Sequence, residues 1–191
     1  MYSFRNDYSE GAHPKVLQAL ADTNLRQTVG YGMDPCCQAA ADTIRRLCAA
    51  PDAAVHFLVG GTQVNLVTID AFLQSYEAVV AAQTGHVSTH ETGAIEATGH
   101  KVCTVESPDG KLTPALVESV LAGHNGTEHM VLPRIVYISD TTEIGTVYTR
   151  AELAALRQCC DVHGLFLYLD GARLGSALTS PDNDLTLPDL A

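Results

Sequence analysis

The chain has 191 residues, 46% of them hydrophobic, with 22 acidic against 11 basic side chains and a formal charge of −11. That length suits one sizeable core, and the acidic balance argues against a general binder of nucleic acid or anionic membrane, which needs an excess of Lys and Arg. No apolar run reaches the roughly 18 residues of a membrane span, and the start Met1-Tyr2-Ser3-Phe4-Arg5-Asn6-Asp7 lacks the apolar core of a secretion signal, so the expectation is an intracellular, cytoplasmic protein.

Residues 1–50 read as an N-terminal helical arm. His13-Pro14 leads into a helix with Val16, Leu17 and Leu20 on one face, and Asp34-Pro35 leads into another with Ile44 and Leu47 inward. Between them, Val29-Gly30-Tyr31-Gly32-Met33 is a glycine-bounded loop. From residue 51 onward short apolar runs alternate with helical patterns, the signature of strand–helix units. Strands are predicted at Val55–Val59, Ala78–Ala82, Val102–Val105, Ile135–Ile138 and Phe166–Leu169. A helix is predicted over Gln63–Leu73, and another begins at Thr113-Pro114 with Leu116, Val117, Val120 and Leu121 at helical spacing. A third has Thr149 as N-cap and Glu152 as capping-box partner, and runs through Leu153, Leu156 and Cys160 toward Gly164. The tail from Thr179 to Asp184 is polar and turn-rich.

The six cysteines fall as Cys36-Cys37, Cys48, Cys103 and Cys159-Cys160, without a Cys-x-x-Cys pair. They read as buried free thiols in a reducing compartment, with no catalytic role.

Chemistry concentrates at strand ends. The run Leu165-Phe166-Leu167-Tyr168-Leu169 reads as a strand buried on both faces, as in a parallel sheet, and it delivers Asp170 and then Arg173 to the carboxyl edge where such sheets bind ligands. A plain alternative is that Asp170 caps the next helix and pairs locally with Arg173. Gly60-Gly61-Thr62 is a glycine turn opening a helix, whose free N–H groups and hydroxyl suit a phosphate, although an ordinary turn has the same composition. His86 and His90 lie four residues apart in Gly85-His86-Val87-Ser88-Thr89-His90-Glu91. No third ligand of suitable spacing accompanies them, so no metal is expected, and an imidazole lying on a flat cofactor or carrying a proton is the better reading. Thr141-Thr142-Glu143 follows the fourth strand and faces the same crevice.

Taken together, Phe4-Arg5-Asn6-Asp7, Gly30-Tyr31-Gly32-Met33-Asp34-Pro35, Gly60-Gly61-Thr62, the His86 stretch and Asp170-Gly171-Ala172-Arg173 resemble the threonine aldolase and β-eliminating lyase family of pyridoxal-phosphate enzymes. The resemblance implies an aspartate-aminotransferase-like, three-layer α/β/α fold with a mostly parallel sheet. Residues 51–191 would be an incomplete cofactor-binding large domain, and a C-terminal small domain would be absent. It further implies pyridoxal 5'-phosphate as cofactor, a small amino-acid substrate, and a homodimer or homotetramer at full length. Position by position, Asp170 would pair with the protonated pyridine nitrogen, Gly61 and Thr62 would hold the phosphate, and His86 would stack on the ring. His90 would lie near the substrate side chain, with Arg173 and Asn6 on the substrate carboxylate. The reaction implied is retro-aldol cleavage of a β-hydroxy-α-amino acid to glycine and an aldehyde.

This chain departs from the family's pattern in two places. Many threonine aldolases carry a histidine where this chain has Thr141-Thr142-Glu143. The family's Schiff-base lysine lies a few tens of residues beyond the Asp-Gly-Ala-Arg motif, whereas the lysines here are Lys15, Lys101 and Lys111. The expectation is therefore a chain with little or no activity alone. The alternatives are β-elimination, a non-catalytic fragment that binds a partner, or a generic phosphate or nucleotide binder resting on Gly60-Gly61-Thr62.

Overall fold

The computed structural model describes residues 3–191. The chain divides into two compact units, one ending at Thr43 and the other spanning Ile44–Ala191. Met1 and Tyr2, part of the start read above for a secretion signal, lie outside the described residues. Among the described residues no helix is long and apolar enough to cross a membrane.

The first unit holds helix α1 (Pro14–Thr23), and helix α2 (Pro35–Leu47) begins in it. Both start as the sequence predicts. His13 Nδ1 accepts from the N–H of Lys15, and Asp34 Oδ1 accepts from the N–H groups of Cys36 and Cys37, which satisfies first-turn donors. The inward packing predicted for Ile44 and Leu47 does not follow, and the apolar face of α1 is equally uncovered. Val16, Leu17 and Leu20 are each more than half exposed, and Ile44 and Leu47 are exposed at 41% and 49%. Periodicity fixes which face of a helix is apolar, not whether anything covers it. Cys36 is likewise exposed and Cys37 and Cys48 only half-buried; burial holds for Cys103, Cys159 and Cys160.

The second unit continues with α3 (Gly61–Phe72), β1 (Glu77–Ala82), α4 (His86–Thr89), α5 (Ala94–Ala97), β2 (Lys101–Val105), α6 (Pro114–Ala122) and β3 (Leu132–Ser139). It ends with α7 (Arg150–His163), β4 (Phe166–Asp170), α8 (Leu174–Leu178) and α9 (Leu187–Leu190). The strands form one parallel sheet in the order β2-β1-β3-β4. Alternate residues of each strand face opposite layers. Val80, Ala82, Val136 and Ile138 meet Val117, Leu156 and Cys160 of α6 and α7, with Leu167 and Leu169 packed against them. Val79, Ala81, Ile135 and Tyr137 meet Ile69 of α3 and Ile95 of α5, with Tyr168 alongside. The result is the three-layer α/β/α arrangement, in which each fully buried valine contributes about 1.5–3 kcal/mol.

Local signals set the helix limits. Thr113 accepts from the N–H of Leu116 at the start of α6. Thr149 and Glu152 make a complete capping box on α7, which ends at Gly164 in the left-handed conformation, φ 64°.

Two predicted strands need correction. Val55–Val59 is not a strand; the segment is irregular, and Val59 is 95% exposed. An apolar, β-branched run becomes a strand only when another strand accepts its hydrogen bonds, and none of the four does. The run ending at Leu169 does form β4, but at the sheet edge. Phe166 is 38% exposed and the residues after it are half-buried, because one flank has no neighbouring strand.

Candidate active site

The chain adds β2 on one side of β1 and then returns to add β3 and β4 on the other. This reversal places a topological switch at the carboxyl ends of β1 and β3, where open parallel sheets hold ligands. A small cavity lies there, lined by Ala82, Gly85, Tyr137, Ser139, Thr142 and Glu143. Gly85 sits at a close approach, where a Cβ would lie 3.0 Å from the Ala82 carbonyl oxygen.

Asp170 is the last residue of β4. Its Oδ2 accepts from the Tyr137 hydroxyl at 2.6 Å and from Asn65 Nδ2 at 3.1 Å, and its Oδ1 accepts from the N–H of Ala172 at 3.0 Å. Three donors fix the position and orientation of this carboxyl group. Tyr137 is 1% exposed; burial first, then the Asp170 charge, hold its phenol far above the ordinary range, so it stays a donor. Tyr168 is pushed up to about 12 by burial and the same carboxylate, and its hydroxyl donates to Asn65 Oδ1 at 2.7 Å.

Asn65 lies one turn into α3 and is buried. Besides Asp170, its Nδ2 donates to Glu91 Oε1 at 2.6 Å. That same oxygen lies 2.8 Å from His86 Nδ1, so a Glu91 carboxylate fixes the imidazole with its proton on Nδ1 and directs Nε2 elsewhere. Glu91 is 2% exposed, and its Oε2 has no hydrogen-bond partner among the described residues. A continuous polar chain thus runs Tyr137, Asp170, Asn65, Glu91, His86.

The structure brings together four of the residues singled out from sequence. Asp170 and His86 are joined through Asn65 and Glu91, and Gly61 and Thr62 open the helix that carries Asn65. Gly60 offers no side chain to the first turn of α3, and a Cβ on Gly60 or Gly61 would meet nothing within 4 Å, so that turn faces open space. His90 caps the carboxyl end of α4 with its ring tilted 5.6 Å from that of His86. Arg173 Nη1 lies 3.6 Å from Glu143 Oε2, which ties the loops after β4 and β3. Asn6 belongs to the first unit, where its Oδ1 accepts from the N–H of Tyr8 and from Ser9 Oγ. Among the lysines, Lys111 Nζ is engaged by Glu152 at 2.5 Å and by the Val147 carbonyl.

Sequence reasoning missed Asn65, Glu91, Tyr137 and Tyr168. A signal exists for two of them. Asn65 interrupts the apolar face of α3 one turn before Ile69, and Tyr168 is the one hydroxyl in a run of Phe and Leu.

A four-stranded parallel sheet in this order between two helical layers, with an acidic residue ending β4, has the architecture of the large domain of aspartate-aminotransferase-like enzymes. The aspartate aminotransferase of Rhizobium meliloti superposes with a TM-score of 0.63 over 85% of this chain and 41% of that one, at 16% identity, a likeness of fold alone. The sequence model of the family described as Beta-eliminating lyase matches residues 4–186, and the chain belongs to that family. A solved threonine aldolase of Leishmania major is 57% identical, with a TM-score of 0.97 over 100% of this chain and 55% of that one. A low-specificity L-threonine aldolase of a Pseudomonas strain is 37% identical over 176 residues, 91% of this chain and 50% of that protein. The Saccharomyces cerevisiae protein of the same name is 28% identical over 91% of this chain. The chain spans about half the length of the curated relatives it matches.

Proposed function

We propose that the protein carrying this chain is a pyridoxal-phosphate-dependent lyase that cleaves a β-hydroxy-α-amino acid, such as threonine, into glycine and an aldehyde. Residues 51–191 are its cofactor-binding region and 1–50 an N-terminal arm. The observation that carries the reading is the polar chain from Asp170 through Asn65 and Glu91 to His86 at the switch point.

The donor set fits the cofactor. Asp170, held in place by three hydrogen bonds, suits a protonated pyridine nitrogen, and the half-exposed His86 ring, locked by Glu91, suits a flat heterocycle. The open first turn of α3, with Gly61 and Thr62, suits a dianionic phosphate. Pyridoxal phosphate, when bound, supplies an electron sink for the carbanion generated at the substrate α-carbon.

The chain's own groups then divide the work. The Asp170 carboxylate would hold the ring-nitrogen proton in place, and Tyr137 and Asn65 fix the orientation of that carboxylate. Arg173 grips the substrate carboxylate as a planar fork, for which Glu143 holds it in reserve. His90, beside His86, serves the substrate's β-hydroxyl side, where a base removes the hydroxyl proton. The full protein acts as a homodimer or homotetramer, to be checked by light scattering.

β-Elimination is the second reading, favoured by the hydroxyl- and carboxylate-bearing loop Thr141-Thr142-Glu143 in place of an imidazole. The test supplies threonine and serine to the full protein with the cofactor. Glycine plus aldehyde is the expected product, whereas keto acid plus ammonia establishes elimination. Binding of nucleotide but not of pyridoxal phosphate to the purified chain overturns both readings.

A further inference from the structure

The layer of α6 and α7 carries a second cluster of chemically matched side chains, on helices whose buried residues pack against the opposite sheet face from α3. Cys159 and His163 are spaced i and i+4 on α7 and so share one face of that helix. Glu118 reaches the same spot from α6. One ligand atom from each, Cys159 sulfur, a His163 ring nitrogen and a Glu118 carboxylate oxygen, lie within 4.8 Å of one another. His163 Nε2 and Glu118 Oε1 are 3.6 Å apart, long for a hydrogen bond. Two such ligands on one tetrahedral zinc, each about 2.0–2.1 Å from the ion, stand about 3.3–3.5 Å apart, so the gap has nearly the span of a coordination edge.

We propose that Glu118, Cys159 and His163 form a site for a thiophilic divalent cation of the zinc class, which clasps α6 to α7. One sulfur, one imidazole and one carboxylate make the borderline-soft donor set that selects zinc over magnesium or calcium. His163 is the last residue of a 14-residue helix, where the backbone carbonyls present partial negative charge to a cation. The Cys159 residue is buried, which shields that ligand, whereas the Glu118 and His163 side chains are 58% and 36% exposed, which leaves the fourth position to water. The site therefore resembles an open three-ligand centre rather than a closed structural one.

The test titrates the reduced chain with cobalt(II), then displaces it with zinc. A stoichiometric thiolate-to-cobalt charge-transfer band, bleached by zinc, is expected. Cys159→Ser removes that band, and Glu118→Gln and His163→Gln each weaken binding by at least tenfold, since even outer-shell partners of zinc ligands are worth 10–100-fold. Cys103 supplies the control, because its sulfur lies 3.6 Å from His124 Nε2 in a separate thiol–imidazole pair. Absence of the band in folded protein, its persistence in Cys159→Ser, or its loss in Cys103→Ser overturns the proposal. Should Cys159→Ser fail to fold, Glu118→Gln on the exposed side decides, and unchanged affinity there overturns it.

Discussion

On the α6–α7 face of the sheet, Val80, Val136 and Ile138 meet aliphatic side chains and the Cys160 thiol. On the α3 face the apolar Val79 and Ile135 are joined by Tyr137 of β3 and Tyr168 of β4, whose hydroxyls feed a carboxylate and an amide. Each face also buries one tyrosine to 1% exposure, and the two are used in opposite senses. The Tyr148 hydroxyl accepts the N–H of Leu112 at 2.6 Å and thereby satisfies the protein's own backbone. Tyr137 donates at the same distance to Asp170, a charge delivered to the edge of the sheet. A buried polar group that ends on backbone contributes to folding, whereas one that positions a carboxyl group at a crevice serves a ligand.

The sharpest way to separate the faces is to empty each in turn. Asp170→Ala is expected to cut turnover of the cofactor-loaded full protein by about 10²–10³-fold, the cost of removing one preorganised electrostatic group, with a stability loss no larger than about 1–3 kcal/mol, the cost of stranding the Tyr137 hydroxyl. Leu156→Ala, fully buried on the other face, is expected to cost about 2–5 kcal/mol of unfolding free energy in urea titrations while leaving cofactor affinity of the folded fraction intact. An Asp170→Ala protein that binds cofactor and turns over normally breaks the comparison.

The tyrosines provide a finer version of the same contrast. Tyr148→Phe strands the buried N–H of Leu112 and is expected to cost about 1–3 kcal/mol, read from the urea midpoint. Tyr137→Phe removes one of three donors to Asp170, and its expected signature is a weaker cofactor affinity with a smaller stability loss. Equal losses of stability with no change in affinity would mean that both tyrosines are structural. At the surface of the apolar face, Thr149→Ala deletes the capping box of α7 and is expected to cost about 1 kcal/mol.

The same contrast explains what was legible beforehand. Strands β1, β2 and β3 and the limits of α6 and α7 follow from local pattern, because caps, prolines and apolar runs act within a few residues. Val55–Val59 has the pattern of a strand without a neighbour to pair with, and β4 has one flank open, since apolarity in a sequence does not count partners. Asp170, His86, Gly61 and Thr62, the candidates proposed for the site, stand at turns and strand ends, where a sequence marks them. Asn65 is not marked, because its meaning lies in bonds to Glu91 and Asp170, 26 and 105 residues away. Glu91 is hidden in part for the same reason, since its bond to Asn65 spans 26 residues.

The smallest expected effect concerns two carboxylates within the α6–α7 half that respond to pH in opposite directions. Burial raises the Glu152 carboxyl, but hydrogen bonds from Lys111 and Thr149 outweigh it and leave the group below its ordinary value of 4.5. A depressed folded value means that Glu152 adds stability above its unfolded value and loses it as the pH falls through the folded one. Asp140 is 1% exposed, and burial raises it above its ordinary 3.8 despite the N–H of Tyr148. Its contribution is present below the unfolded value and disappears as the pH rises through the folded one. Glu152→Gln should therefore be less stable than the wild type at neutral pH, and Asp140→Asn more stable. Both differences should shrink as urea midpoints are taken from pH 7 toward the carboxylate range. A neutral-pH loss in Asp140→Asn would show that its charge is compensated in the folded protein, and so that the α6–α7 half also sustains a buried carboxylate.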